Sequence, residues 1–432
     1  MLSKDKQATL NILHLNTYDI IGGAARAAHR LHRGLLSLGY DSSMLVAARH
    51  SDDPTISALI PPSGLKYSLI RLLRRVMIKC SFIRYLRNRP DCYEIFSDDR
   101  SQFGSFHLPQ LPAPNIINLH WVARFIDYGF FFKGVTELYP VVWTLHDMNA
   151  FTGGCHYNNG CQNYKSKCGN CPQLGSAHAY DLSYQIWRRK NSIFKKIKPN
   201  RLHIVATNKW MATEAKNSGL LRDFPVTTIP YGLDTSVFSP RDRQTSRYAL
   251  EIPRNSRVVL FVADSTTHHR KGFTLLVEAL KGIKDLKSLF LLSIGNGEPV
   301  MGDHIPHLHL GHIDNDRLLS LVYSAADLFV IPSLQDNFPN TVLESMACGT
   351  PVAGFAVGGI IDMIRPEVTG LLAPQQDINA LGNAIVKLLC DSIRLKKIAE
   401  DCRRLVVEEY SLEVQAKRYL ELYKEIINNS DR

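Results

Sequence analysis

Apolar residues fall into two alternating patterns along this chain. Short runs such as "LNILHLNT", "DSSMLVAAR", "NIINLHW", "VVWTLH" and "RLHIVATN" are rich in Val, Ile and Leu. They suit strands buried on both faces. Between them lie segments with apolar residues every three or four positions. One is "GGAARAAHRLHRGLLSLGY", opened by Gly22-Gly23 and closed by Gly39, and another is "KWMATEAKNSGL". These predict helices. Residues 226–240, "VTTIPYGLDTSVFSP", are rich in Pro, Gly and Asp and lack a period, as a linker does. The pattern then restarts. "RVVLFVAD", "LFLLSIGNG", "DLFVIPS" and "PVAGFA" predict strands, and "GFTLLVEALKGI", "NDRLLSLVYSAA", "NTVLESMACG" and "INALGNAIVKLLCD" predict helices. Alternation of this kind is the signature of α/β layers on a parallel sheet. Two such domains are expected, 1–229 and 241–409, joined by a linker at 230–240.

Composition sharpens this picture. The 432 residues suffice for about two domains of ordinary size, and 45% hydrophobic with 21% charged residues is a globular balance. The first residues, "MLSKDKQATLNILHLNT", lack the apolar core and cleavage pattern of a signal peptide, and no apolar run approaches membrane-spanning length. A cytoplasmic protein is expected, in which nine cysteines would be thiols or metal ligands. The net charge of +11 is concentrated partly in residues 65–89, which hold eight Lys or Arg and no acid. Leu65, Leu69, Leu72, Val76 and Ile83 recur there at helical spacing. Such a segment either lies on an anionic membrane surface or turns its apolar stripe to the core. A nucleic-acid partner is not expected, since no binding motif accompanies the charge.

Four places carry candidate chemistry. Gly22-Gly23 turns a strand into a helix, where glycine lets backbone amides approach an anion, or simply makes a tight turn. His146-Asp147 ends a strand, the usual location of α/β active sites. There the histidine could donate a hydrogen bond or a proton, or form a structural pair with its neighbour. Arg270 and Lys271 lie between a strand and a helix and could neutralise a diphosphate, or could be a solvated basic loop. In "DNFPNTVLESMACGTPV", residues 336–352, Asp336 and Glu344 bracket the start of a helix. Pro339 sits near its N-terminus, and the amides of Asn340, Thr341 and Val342 are expected to face a ligand.

This last stretch resembles the paired-acid signature of retaining GT-B glycosyltransferases, those of glycosyltransferase family 4. "GGAARAAHRL", "TLHD", "RKGF", "SIGNGEP", "AADLFVIPS" and "GGIIDMIRPEVTGLL" follow in the family's order over nearly the whole chain. "LHDMNAFTGGCHY…C…CGNCPQL" is similar to bacterial polysaccharide-biosynthesis members of colanic-acid type. The resemblance implies two facing Rossmann-like domains with a deep interdomain cleft, and a C-terminal helix, 410–432, that returns to the first domain. It implies a nucleotide-sugar donor, with a UDP-sugar favoured, and a glycan or lipid-linked acceptor in exopolysaccharide or cell-surface polysaccharide biosynthesis. The chain would be cytoplasmic, and through residues 65–89 it could lie on the inner face of the membrane. Glu344 matches the acid that grips the ribose, Asp336 the acid facing the donor sugar, and His146 the histidine near the sugar's reacting end. Arg270 and Lys271 match the diphosphate-binding positions, and Gly22 and Gly23 the phosphate- and acceptor-side loop. No metal is implied for catalysis. Two departures stand out. The first acid is usually Glu, one methylene longer than Asp336, and the family's usual arginine stands upstream, where this chain has Asp264. Another enzyme on the same architecture, such as an epimerase or hydrolase, and a non-catalytic binding module are the alternatives.

Cys155, Cys161, Cys168 and Cys171 form a separate cluster with spacings x5, x6 and x2 and with His156 adjacent. They could hold a structural zinc or remain free or disulfide-capable thiols.

Overall fold

In the computed structural model, residues 10–90, 95–104, 113–284, 286–301 and 305–430 are described. The first nine residues, part of the stretch searched for a signal peptide, lie outside them, as do the last two of the 410–432 segment. The chain divides into two compact units, 1–230 with 415–432, and 231–414.

The first unit is built on seven strands: β1 Asn11–Tyr18, β2 Asp41–Ala48, β3 Ile56–Ala58, β4 Ile116–Leu119, β5 Val141–Leu145, β6 Leu202–Ala206 and β7 Val226–Thr228. Their order is β3-β2-β1-β4-β5-β6-β7, with parallel pairing throughout. Helices α1 Gly23–Ser37, α2 Leu65–Ile83, α3 Tyr128–Leu138, α4 Leu182–Phe194 and α5 Lys209–Asn217 follow the strands. The non-periodic stretch that opens at Val226 supplies β7, because Val226–Thr228 extends the sheet beside β6.

The second unit carries six parallel strands: β8 Arg257–Ser265, β9 Leu289–Asn296, β10 His307–His309, β11 Leu328–Ile331, β12 Val352–Phe355 and β13 Gly370–Ala373. Their order is β10-β9-β8-β11-β12-β13. The helices are α6 Arg243–Ala249, α7 Phe273–Lys281, α8 Asp316–Ala325, α9 Asn340–Ala347, α10 Ile360–Met363, α11 Ile378–Leu389, α12 Ser392–Glu409 and α13 Leu412–Ser430. Residues 231–240 are built into this unit. Tyr231, Leu233 and Phe238 are buried, and Arg403 donates to the carbonyls of Thr235 and Phe238.

Most of α13 belongs to the first unit. Ala416, Tyr419, Leu420 and Tyr423 are buried against Ile12, Ile116, Val142 and Val205 on one face of its sheet. Two polar groups of that face are satisfied by the helix. Asn118 donates to the Tyr423 hydroxyl at 2.7 Å, and the Tyr419 hydroxyl lies 2.9 Å from Thr144 Oγ1. Unpaired, such buried groups would each cost about 1–3 kcal/mol.

The basic helix α2 buries none of its residues. Leu65, Leu69, Leu72, Val76 and Ile83 are 47–89% exposed. The core-facing alternative for its stripe is therefore not what the fold adopts. Arg74 pairs with Asp127 and donates to Ser101 O, while Phe82 and Tyr85, at and beyond the helix's end, pack on Phe96 and Leu174.

Candidate functional site

Each sheet has a point where the chain turns from building one side to building the other: β1 and β4 in the first unit, β8 and β11 in the second. Open α/β sheets bind ligands beyond the strand ends at such points.

In the second unit this point gathers Arg270, Lys271 and Asp336. β8 delivers the chain to a short 3-10 turn, His269–Lys271, and Gly272 then starts α7. Gly272 has φ +71°, and a Cβ there would lie 2.0 Å from Pro332 O. Only glycine lets the basic turn lie this close to the loop after β11. Arg270 O accepts from Leu334 N at 2.8 Å, and Arg270 Nη1 donates to Gln335 O at 2.7 Å. Lys271 Nζ then sits 2.8 Å from Asp336 Oδ2, and Arg270 Nη1 sits 3.2 Å from it. Asp336 is 5% exposed. Burial pushes its carboxyl up, but Lys271, Arg270 and the Asn337 amide together hold it below its ordinary value. The backbone of Asp336 is fixed by Gly358-Gly359, since a Cβ on Gly358 would lie 2.0 Å from Asp336 O. The two partly buried cations thus meet at the buried acid, and the carboxylate already engages both bases.

Glu344 lies on α9, 3% exposed, and accepts from the Tyr323 hydroxyl at 3.1 Å. Pro339 is the N-cap of this helix. One expectation for the helix start needs correction. The Val342 amide does not face a ligand, because it donates to Pro339 O at 3.1 Å and the residue is fully buried. The first turn closes on itself, which leaves Asn340 and Thr341 at the open end.

In the first unit, Gly22 adopts φ +87°, with no atom within 4 Å of a Cβ built there. The exposed double glycine opens α1 at the end of β1. The ends of β4 and β5 carry a different construction. His146, just beyond β5, has its Nε2 3.0 Å from Nδ1 of His120, whose Nε2 is 2.9 Å from Nδ1 of His14. All three rings are buried. Burial lowers the His146 pKa to about 4 against a small opposing pull from Asp147, and lowers those of His120 and His14 well below the usual histidine value. His146 is therefore neutral at pH 7. It can donate a hydrogen bond but holds no extra proton to give. His14 Nε2 is buried without a partner. A lone acceptor is better tolerated than a lone N–H, so hydrogen-bond logic puts each proton on Nδ1 along the chain. His146 then accepts at Nε2 and donates from Nδ1.

The alternative of a structural His146-Asp147 hydrogen-bonded pair is not what the fold adopts, although the Asp147 charge still pulls the His146 pKa upward. Asp147 binds His156 Nδ1 at 2.5 Å, Trp121 Nε1 at 2.7 Å and the Asn149 amide at 2.8 Å. His14, His120 and Trp121 escaped the sequence reading, and His156 was noted only beside the cysteines. The signal available for two of them was "NLHW" at a strand end.

Residues 256–391 match the family model "Glycosyl transferases group 1". The match contains Arg270, Lys271, Asp336 and Glu344. A D-inositol 3-phosphate glycosyltransferase of Thermobispora bispora is 30% identical over 223 residues, 48% of this chain and 52% of that protein. The putative teichuronic acid biosynthesis glycosyltransferase TuaC of Bacillus subtilis is 24% identical over 68% of this chain and 73% of its own. The chain spans about half the length of the first curated relatives it matches, 51% and 52%. Among solved structures, sucrose-phosphate synthase from Thermosynechococcus elongatus superposes with a TM-score of 0.66 at 19% identity, covering 97% of this chain and 100% of that one. Anabaena HepE in complex with UDP and glucose gives 0.65 at 14%, covering 96% and 100%. These likenesses and the two parallel sheets give the fold as GT-B.

Proposed function

We propose that this protein is a retaining glycosyltransferase of family 4 type. It would move a sugar from a nucleoside-diphosphate donor to a glycan or lipid-linked acceptor in cell-surface polysaccharide biosynthesis. The observation that carries the reading is the cluster of buried Asp336 with partly buried Lys271 and Arg270, within the residues that match the group 1 model, with Glu344 on the helix that follows. In this reading the donor diphosphate draws Lys271 and Arg270 partly away from Asp336. Two cations beside the leaving group stabilise the charge that develops as it departs, without a catalytic metal. Asp336, relieved of part of its pairing, accepts from sugar hydroxyls, and Glu344 accepts from the ribose. In the first unit, Gly22-Gly23 serves the acceptor side, and neutral His146 donates a hydrogen bond to the sugar. A UDP-sugar is the favoured donor, supported by the UDP complex of the HepE structure. The polysaccharide setting is supported by the name of the TuaC relative.

The reading extends to location. Among the described residues no helix is long and apolar enough to cross a membrane. We place the protein in the cytoplasm, held on the inner face of the membrane by α2. Its exposed apolar residues and its basic side chains suit an anionic lipid surface.

The test is a thermal-shift screen with UDP, GDP, ADP and their common sugars, followed by transfer assays on a glycan panel. Stabilisation by one nucleotide and acceptor-dependent turnover are expected. Full-rate donor breakdown without acceptor would favour the hydrolase or epimerase alternative. Binding without transfer to any acceptor would favour the non-catalytic one.

A further inference from the structure

Between Leu145 and Leu182 the first unit has no regular element longer than three residues, only the short turns Asn149–Phe151, Asn163–Lys165 and Pro172–Leu174. A segment this long without strands or α-helices needs something to hold it. The four cysteines lie within it. Cys155, Cys161, Cys168 and Cys171 line one small cavity, and each sulfur is within electrostatic range of the other three. None is in a disulfide.

The surroundings are suited to thiolates. The Gly153 amide donates to Cys168 Sγ at 3.1 Å, and the amides of Gln173 and Leu174 face the Cys171 sulfur. Gly153 is needed for this approach, because a Cβ there would lie 2.8 Å from Cys168 Cβ and 2.3 Å from Ser183 O. Lys190 is completely buried. Its ammonium donates to Asn149 O at 2.5 Å and Thr152 O at 3.1 Å. It lies within electrostatic range of Cys155 and Cys168, as well as Asp99 and Asp147. A buried cation bonded to two neutral carbonyls calls for negative charge nearby.

The neighbouring histidine is excluded as a ligand. His156 Nδ1 is engaged by Asp147 and its Nε2 by Ser97 Oγ at 2.9 Å. Among the described residues no group of three or more His, Cys, Asp or Glu is placed to hold a metal ion, so a metal would have to draw the sulfurs inward.

We infer that Cys155, Cys161, Cys168 and Cys171 bind one structural zinc ion as an all-cysteine site. Four soft sulfur donors, two of them buried and two partly buried, select zinc over the hard divalent cations. Binding releases the four thiol protons to solvent and leaves a complex of net charge −2, which Lys190 partly offsets. With no coordination position for substrate, the ion's role is to fix the segment that joins β5, and so His146, to α4.

The full chain, purified under reducing conditions without chelator, should contain about one zinc per molecule by elemental analysis. Mercurial titration should release it, and strong chelation should lower Tm. Cobalt-loaded protein should show the visible bands of tetrahedral tetrathiolate coordination. Cys168→Ser and Cys171→Ser should lose most of the metal, while Cys80→Ser, at an exposed position elsewhere, should retain it. The cobalt spectrum of the unaltered chain decides the matter even where a serine variant fails to fold. Metal below about a tenth of an equivalent after zinc is offered, or a disulfide among the four in the reduced preparation, overturns the inference. So does full metal retention in both serine variants. None of these readouts depends on transferase activity.

Discussion

At the switch point of the second unit, one buried carboxylate is held between two partly buried cations. At that of the first, three histidines are buried without charge. The difference is in what each cluster can do when a ligand arrives. Ion pairs sharing one acid can be redistributed toward an incoming anion, at the cost of loosening Asp336 from its partners. The histidine chain has nothing to redistribute. Each ring holds the next at about 3 Å, and its product is a single N–H with a fixed direction. One cluster manages charge, and the other manages orientation.

The largest expected effect comes from removing a cation. Lys271→Ala should lower kcat/KM by about 10²–10³, the usual loss when a preorganised charge-stabilising donor is removed. A loss confined to KM would show that Lys271 binds the donor without acting on its departure. Glu344→Ala should cost more than about tenfold in kcat/KM, because a buried acid matched to a ribose forfeits charge-assisted hydrogen bonds. A smaller loss would remove Glu344 from the donor's side of the comparison.

Asp336→Asn should cost about 3 kcal/mol of stability by chemical denaturation, within the range for breaking a buried ion pair from one side. An unchanged midpoint would mean that the two cations are satisfied elsewhere. The neutral cluster should answer to pH instead. The folded pKa of His146, about 4, lies below the unfolded value of about 6.5, so the unfolded chain binds more protons between them. Stability should therefore be present above pH 6.5 and fall progressively toward pH 4, steepened by His14 and His120. His120→Gln should flatten part of that slope and shift the 15N signals of His146, which report its tautomer. An unchanged spectrum would break the proposed chain of orientation.

The smallest effect on catalysis should come from α2. Replacing Leu69, Leu72 and Leu73 with Ser should leave turnover of a soluble acceptor unchanged and reduce co-sedimentation with vesicles containing phosphatidylglycerol. Equal binding by both proteins would dismiss the membrane reading.

The sequence carried the central strands and most helices plainly, and it missed a coherent set. β3, β7, β10 and β13 were not expected, and these are the four edges of the two sheets. Each is only three or four residues long. A run that short has no period to detect, and β7 lies in a stretch whose prolines and glycines signal a loop. The charged cluster was legible because Arg270-Lys271 and Asp336–Glu344 are local motifs. The histidine chain was not. His14 and His120 stand 106 residues apart, and His120 and His146 stand 26 apart. Only the strand order β1-β4-β5 brings them side by side. The Val342 amide was misjudged because a helix's third amide can be spent on the cap carbonyl.

The closing helix sets the order in which this chain can mature. The face of the first sheet that receives Tyr419 and Tyr423 is translated early, yet its cover emerges only after the whole second unit has left the ribosome. Until then Ile12, Ile116, Val142 and Val205 have α1 residues such as Leu31 and Leu35 beside them but not the tyrosines of α13, and Asn118 and Thr144 lack the tyrosine hydroxyls. A nascent chain in that state exposes an apolar face to aggregation and to chaperones. Small deletions near residue 420 should thus harm the first domain to be synthesised more than the last, and a stalled ribosome would hold a sheet with one face only partly covered however long it waits.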